Sequence, residues 1–185
     1  MTIPFPQPDF PYTDVQRSWI AHLLGEGDRE FEQGEGALRN DENYYCCLGV
    51  LCALSSEAVR ADFVHVEESV ENYYFMGESE ILPNAIRLHG GLRDTGGNPY
   101  HTVGCTYHSV KTIESWLHEN WMEEGHQIPG GEYVYRIDTL VELNDQGVSF
   151  EKIGNHLLRF PHFYFSNGGR PTEEMYPHLT RGFDP

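Results

Sequence analysis

The sequence predicts an α+β fold: one compact domain of several short helices packed on a small, mainly antiparallel sheet. Three observations lead there. Apolar residues recur at helical spacing, but only over short segments bounded by capping residues and glycines. The β-rich pieces are equally brief and sit beside turn-forming residues, as in a hairpin rather than a wound parallel sheet. The chain has 185 residues, 39% of them hydrophobic and 13% aromatic, which suits a single core and argues against disorder.

Residues 1–12 are Pro-rich and read as an extended lead-in. Thr13 then fits a helix N-cap, with Gln16 three residues on to close a capping box. Val15, Trp19 and Leu23 form one apolar row, Ile20 and Leu24 the next, and Gly25 stops the helix. The following stretch, GEGDREFEQGEGALRNDE, carries four glycines and seven acids and predicts a loop with at most a short strand. Asn40, Asp41 or Asn43 is positioned to cap a second helix, Cys46–Ala58, with Cys47, Val50, Leu51, Leu54 and Ala58 on one face. Residues 61–66 and 72–76 pair as a hairpin across the acidic run EESVEN. Pro83 opens a short helix through Leu88, ended by Gly90 and Gly91. HTVGCTYH reads as a strand, Ser109 caps a helix carrying Trp116 and Trp121, and YVYRI is a short strand. Asp138 caps TLVELN, residues 144–147 turn, and Ser149 caps FEKIGNHLLRF, which Pro161 ends. The remaining tail, 161–185, is irregular.

The net charge is −17, from 12 basic and 29 acidic residues. Residues 1–150 account for all of it, with 25 acids against 8 bases. Phosphate-backbone binding needs clustered Lys and Arg, and none is present, so direct nucleic-acid binding is disfavoured. The acids are scattered, which favours plain solubility over a dedicated face, though an acidic surface meeting a basic protein stays open. The opening residues lack a secretory signal, and no apolar run is long enough to span a bilayer, so the expectation is a cytoplasmic protein with no membrane association. Four cysteines in such a setting are expected to be reduced thiols.

NYYCCLGVLCAL concentrates three of those cysteines. As an enzyme, the chain would use Cys46 or Cys47 at a helix start, with His101 or His108 as base and Asn144 or Asp145 to orient it. Against this, Cys47 falls on the apolar face, and free cysteine is commonly buried. A metal site from these cysteines, Cys105 and the two histidines is not favoured either. On a strand, His101 and Cys105 face away from His108, so no metal or cofactor is expected. LNDQGVSFEKI resembles a helix-turn-helix, but its turn residues are explained by stopping one helix and capping the next.

For ligand binding, Gln33 and Arg39 lie beside flexible backbone and suit an anionic small molecule such as a nucleotide. Tyr44 or Tyr45 is available to stack on its base. Asn144 and Asp145 at a helix end supply convergent polar groups.

Two stretches together resemble a family of small phage and prophage proteins. QGEGALRNDENYYCCLGVLCAL resembles the signature QGxxxLRxxxxYCCLGVLCxL, and LVELNDQGVSFEKIGNHL resembles LxxLNDxGxSFxxIAxxI. Trp19, Leu82-Pro83 and Gly91-Leu92 match in order, and the resemblance covers about half the chain. It implies a phage setting rather than an activity. The chain departs from it at residues 97–131, an insertion, and in its longer tail after Phe160. The expectation is a phage-encoded accessory protein that acts by binding, interfering with a host process such as antiviral defence. It would capture a small nucleotide-like ligand or block a host protein. The alternatives are a cysteine-dependent hydrolase or transferase and a structural phage component.

Overall fold

The computed structural model describes residues 9–65, 73–97 and 139–169, and the statements below concern these. Six α-helices and two small sheets make up the described part, a mixed α+β arrangement. The first four N–H groups of a helix lack internal partners, and Thr13 meets this need at helix α1, Asp14–Leu23. The Thr13 hydroxyl takes the Gln16 N–H, and the Gln16 side chain takes the Thr13 N–H. Of the lead-in, residues 1–8 lie outside the described residues, while Phe10 is buried against Tyr12, His162 and Phe165.

Strand β1, Glu32–Gln33, pairs in parallel with β2, Tyr44–Tyr45. Helix α2, Cys47–Val59, follows directly. Its cap differs from the expected Asn40, Asp41 or Asn43: the N-cap is Cys46, whose Sγ accepts the Gly49 N–H at 3.4 Å. Asn40 instead receives the Tyr44 N–H, and Asn43 adopts a left-handed backbone. The single apolar face also fails, because every residue from Cys47 to Ala53 is buried whereas Ala58 is exposed. A helix wrapped on all sides by its own chain shows no amphipathic stripe.

Strands β3, Phe63–His65, and β4, Tyr73–Phe75, pair antiparallel as expected, with Val64 opposite Tyr74. Helix α3, Asn84–His89, has Pro83 at its N-cap and Gly90 at its C-cap. Helix α4, Leu140–Asp145, is capped by Thr139 with Glu142 closing the box. Asp138, the expected cap, lies outside the described residues. Gly147, at φ 75°, makes the turn into α5, Phe150–Arg159, which Ser149 caps. The tail expected to be irregular continues as α6, Pro161–Tyr164, and a 3-10 turn, Ser166–Gly168. Phe160, Phe163, Tyr164 and Phe165 are all buried. These four aromatic residues join the hydrophobic core. The expected elements at HTVGCTYH, Ser109–Trp121 and YVYRI, the EESVEN turn, and the tail beyond Gly169 lie outside the described residues.

The core sits where α1 packs against both α2 and α5, with α3 and α4 also against α2. Trp19 is fully buried, and its Nε1–H donates to the Cys47 carbonyl at 2.8 Å; removing such a side chain costs on the order of 3–5 kcal/mol. Gly154 of α5 lies against Leu23 and Leu24 of α1, so these helices approach closely. Among the described residues no helix is long and apolar enough to cross a membrane.

His156 of α5 is buried with its Nε2 2.6 Å from the Tyr164 hydroxyl, and its Nδ1 has no hydrogen-bond partner among the described residues. Burial, reinforced by the Arg159 charge, lowers its pKa from 6.5 to about 3. Above pH 6.5 the ring is neutral in both states and adds no pH dependence. Below that, the unfolded ring takes up a proton that the folded ring refuses. Stability therefore falls by up to about 1.4 kcal/mol per pH unit, until the folded ring protonates as well. Urea midpoints measured from pH 7 to pH 4 should drop less steeply in His156→Gln than in the wild type; parallel slopes would refute this origin.

Candidate functional site

The polar residues flanking α2 form a clasp. Gln33, on β1, donates from Nε2 to the Val148 carbonyl at 2.8 Å and to Asn144 Oδ1 at 3.3 Å, while its Oε1 accepts the Phe150 N–H at 2.9 Å. Asn144 is fully buried. Its Oδ1 also accepts the Cys47 N–H at 3.1 Å, and its Nδ2 donates to the Gly34 carbonyl at 2.7 Å. Asp145 receives the Gly36 N–H at 3.0 Å. The structure thus brings Gln33, Asn144 and Asp145 together. Their hydrogen-bonding groups bind the chain to itself: one amide joins the 33–36 segment, the α4–α5 turn and the first turn of α2.

The cysteines are equally engaged. Cys46, Cys47 and Cys52 are buried free thiols. Cys47 Sγ donates to the Leu140 carbonyl at 3.4 Å. Burial pushes the Cys46 thiol up to about 11, and it pushes Cys47 and Cys52 well above their ordinary value, with the neighbouring Cys46 adding to both. A nucleophilic cysteine needs the opposite, a thiolate stabilised near neutral pH. His101, His108 and Cys105 lie outside the described residues. Iodoacetamide at neutral pH is expected to leave Cys46, Cys47 and Cys52 unlabelled until urea unfolds the protein, with peptide mapping as the readout. Rapid labelling of Cys46 or Cys47 in the native state would restore the nucleophile. Among the described residues no group of His, Cys, Asp and Glu is placed to hold a metal.

Arg39 and Tyr45 lie side by side, in an isolated antiparallel bridge. The Arg39 Cζ sits 4.2 Å from the Tyr73 ring centroid and 5.6 Å from those of Tyr45 and Phe63. Tyr45 is buried and its hydroxyl donates to Asn43 Oδ1, whereas Tyr44 is half-buried.

A cleft of about 720 Å³ opens on the other side of Tyr45. The end of α1, the 25–32 loop, the Glu42-Asn43 turn and Phe150 enclose it. Its aromatic floor is Phe31 against Tyr45, ring centroids 5.1 Å apart. Glu30, Glu32 and Glu42 line it, all exposed and none in an ion pair among the described residues. Arg29 stacks on Phe31 at 4.9 Å. His22 closes one wall, with Nδ1 2.7 Å from the Ser18 carbonyl and Nε2 3.0 Å from Asp28. Apart from Tyr45, the sequence reading named none of these. They belong to segments separated by more than a hundred residues, and no local spacing marks them. The one available signal was Phe31, a lone aromatic within a loop of glycines and acids.

A family model described as a domain of unknown function (DUF8296) matches residues 12–158, a span that takes in the clasp, the cleft and the aromatic box. No curated protein and no solved structure matches the chain.

Proposed function

We propose that this chain, which belongs to the DUF8296 family, acts by binding rather than catalysis. In this reading it is a phage-encoded accessory protein of the infected cell's cytoplasm that interferes with a host process such as antiviral defence. The phage setting rests on the two sequence signatures. The mode of action best supported is capture of a basic segment of a host protein in the acidic cleft. The observation that carries it is the arrangement of Glu30, Glu32 and Glu42 around the Phe31–Tyr45 floor, three carboxylates with no ion pair among the described residues. A carboxylate-lined concavity concentrates cations, and an aromatic floor favours a stacked guanidinium. Arg29 on Phe31 already makes that contact within the chain.

A fluorophore-labelled tetra-arginine peptide tests this by anisotropy. Binding should saturate at low salt and weaken steeply as ionic strength passes about 0.15 M. The triple change Glu30→Gln, Glu32→Gln, Glu42→Gln should weaken it by about tenfold or more. Equal affinity in the triple variant would sink the cleft as the site. Capture of a small nucleotide-like molecule is the second reading. Gln33 and Asn144 are occupied inside the fold, so that ligand would depend on Arg39.

A further inference from the structure

Arg39 is held in place without an anion among the described residues. The Tyr73 N–H donates to the Arg39 carbonyl at 3.0 Å, and Arg39 bridges Tyr45, so strand pairing delivers the surrounding rings from β2, β3 and β4. Among the described residues its guanidinium makes no hydrogen bond and no ion pair, and its Nε is buried with no acceptor. Arg87 and Arg93, similarly half-buried, donate to the carbonyls of Leu92, Arg93 and His162. An unmet buried donor carries a free-energy penalty, and an acceptor oxygen relieves it. Arg39, Phe63 and Tyr73 are each only partly buried, so the box is open on one side.

We infer that Arg39 is the oxyanion-recognising residue of a ligand site at the open side of this box. The ligand is a small molecule that carries both a flat ring and a phosphate or carboxylate. Two acceptor oxygens match the planar fork of the guanidinium, which lysine cannot imitate. The Tyr73 and Phe63 rings hold that plane fixed, so less side-chain freedom is lost on binding. They also offer a ring face to the ligand. The site gives the second reading above its chemistry and does not depend on the carboxylates of the cleft.

The test is an NMR titration of the intact chain, following the Arg39 Nε–H resonance, with adenosine monophosphate and benzoate as probes and adenosine as the anion-free control. Saturable movement of that resonance by either anion supports the site, and the probe that binds more tightly identifies phosphate or carboxylate as the group recognised. Adenosine should bind about tenfold more weakly than its monophosphate, as should the monophosphate to Arg39→Lys. The wild-type resonance decides the matter even where a variant folds poorly. A resonance unmoved by both anions up to about 10 mM, adenosine binding as tightly as its monophosphate, or a lysine variant of full affinity would each overturn the site. Failure here leaves the peptide result at the cleft untouched, and the glutamine variants there leave Arg39 untouched.

Discussion

Replacing Gly49 with alanine should destabilise the protein by about 3–5 kcal/mol, at the upper end for a single added methyl group. Gly49 lies in the first turn of α2, packed against the backbone of Leu38, which is itself fully buried. A Cβ there would fall inside contact distance of the Leu38 carbonyl oxygen and 2.6 Å from its carbon. A clashing side-chain tip can rotate away, but a carbonyl engaged in the fold cannot. The Leu38 carbonyl accepts the Cys46 N–H, and the Leu38 N–H donates to Ser79. Relief therefore requires α2 to move off the 37–38 segment, opening the core around Leu48 and Leu51. Urea unfolding should show a large drop in midpoint; a change below about 1 kcal/mol would mean that the two backbones are not in contact.

Asn144→Ala should destabilise the protein by about 3 kcal/mol. The substitution leaves the Cys47 N–H and the Gly34 carbonyl without their partner in a buried setting, and it removes one acceptor from Gln33. An unmet buried polar group costs roughly 1–3 kcal/mol, and at least two are created. Gln33→Ala alone should cost less, because its Nε2 and Oε1 serve the Val148 carbonyl and the Phe150 N–H at a half-buried position. The double variant should be less destabilised than the sum of the two by about 1 kcal/mol, since the residues share a hydrogen bond. Strict additivity would show that the clasp is not one unit.

Local signals carried α1, the β3–β4 hairpin, α3 and α5 from the sequence alone, because each rests on a capping side chain, a proline at the helix start, or alternation within a few residues. The start of α2 was not legible in the same way. A sulfur at the N-cap falls outside the usual Ser, Thr, Asp and Asn set, and burial on every side removed the periodic stripe. The short helix Pro161–Tyr164 was not legible, because four residues are too few to show a period. At the candidate site, Gln33 was legible as a polar group beside flexible backbone, and Asn144 and Asp145 as polar groups at a helix end. Whether such groups face a ligand or one another is decided by chain segments about a hundred residues apart, which no spacing rule reaches. Phe63 and Tyr73 lie 24 and 34 residues beyond Arg39, and their rings meet the guanidinium only through strand pairing.

The reach of Asn144 also bears on when the protein can fold. Its partners Cys47 and Gly34 lie 97 and 110 residues earlier in the chain. Until the ribosome has made Asn144, the first turn of the central helix lacks this acceptor, and the 33–36 segment has only its pairing with β2 to hold it. Contacts of such long sequence separation delay productive folding and leave apolar segments exposed in the meantime. During synthesis, CCLGVLCAL is therefore the stretch most in need of a chaperone, and its protection arrives late, as a single amide.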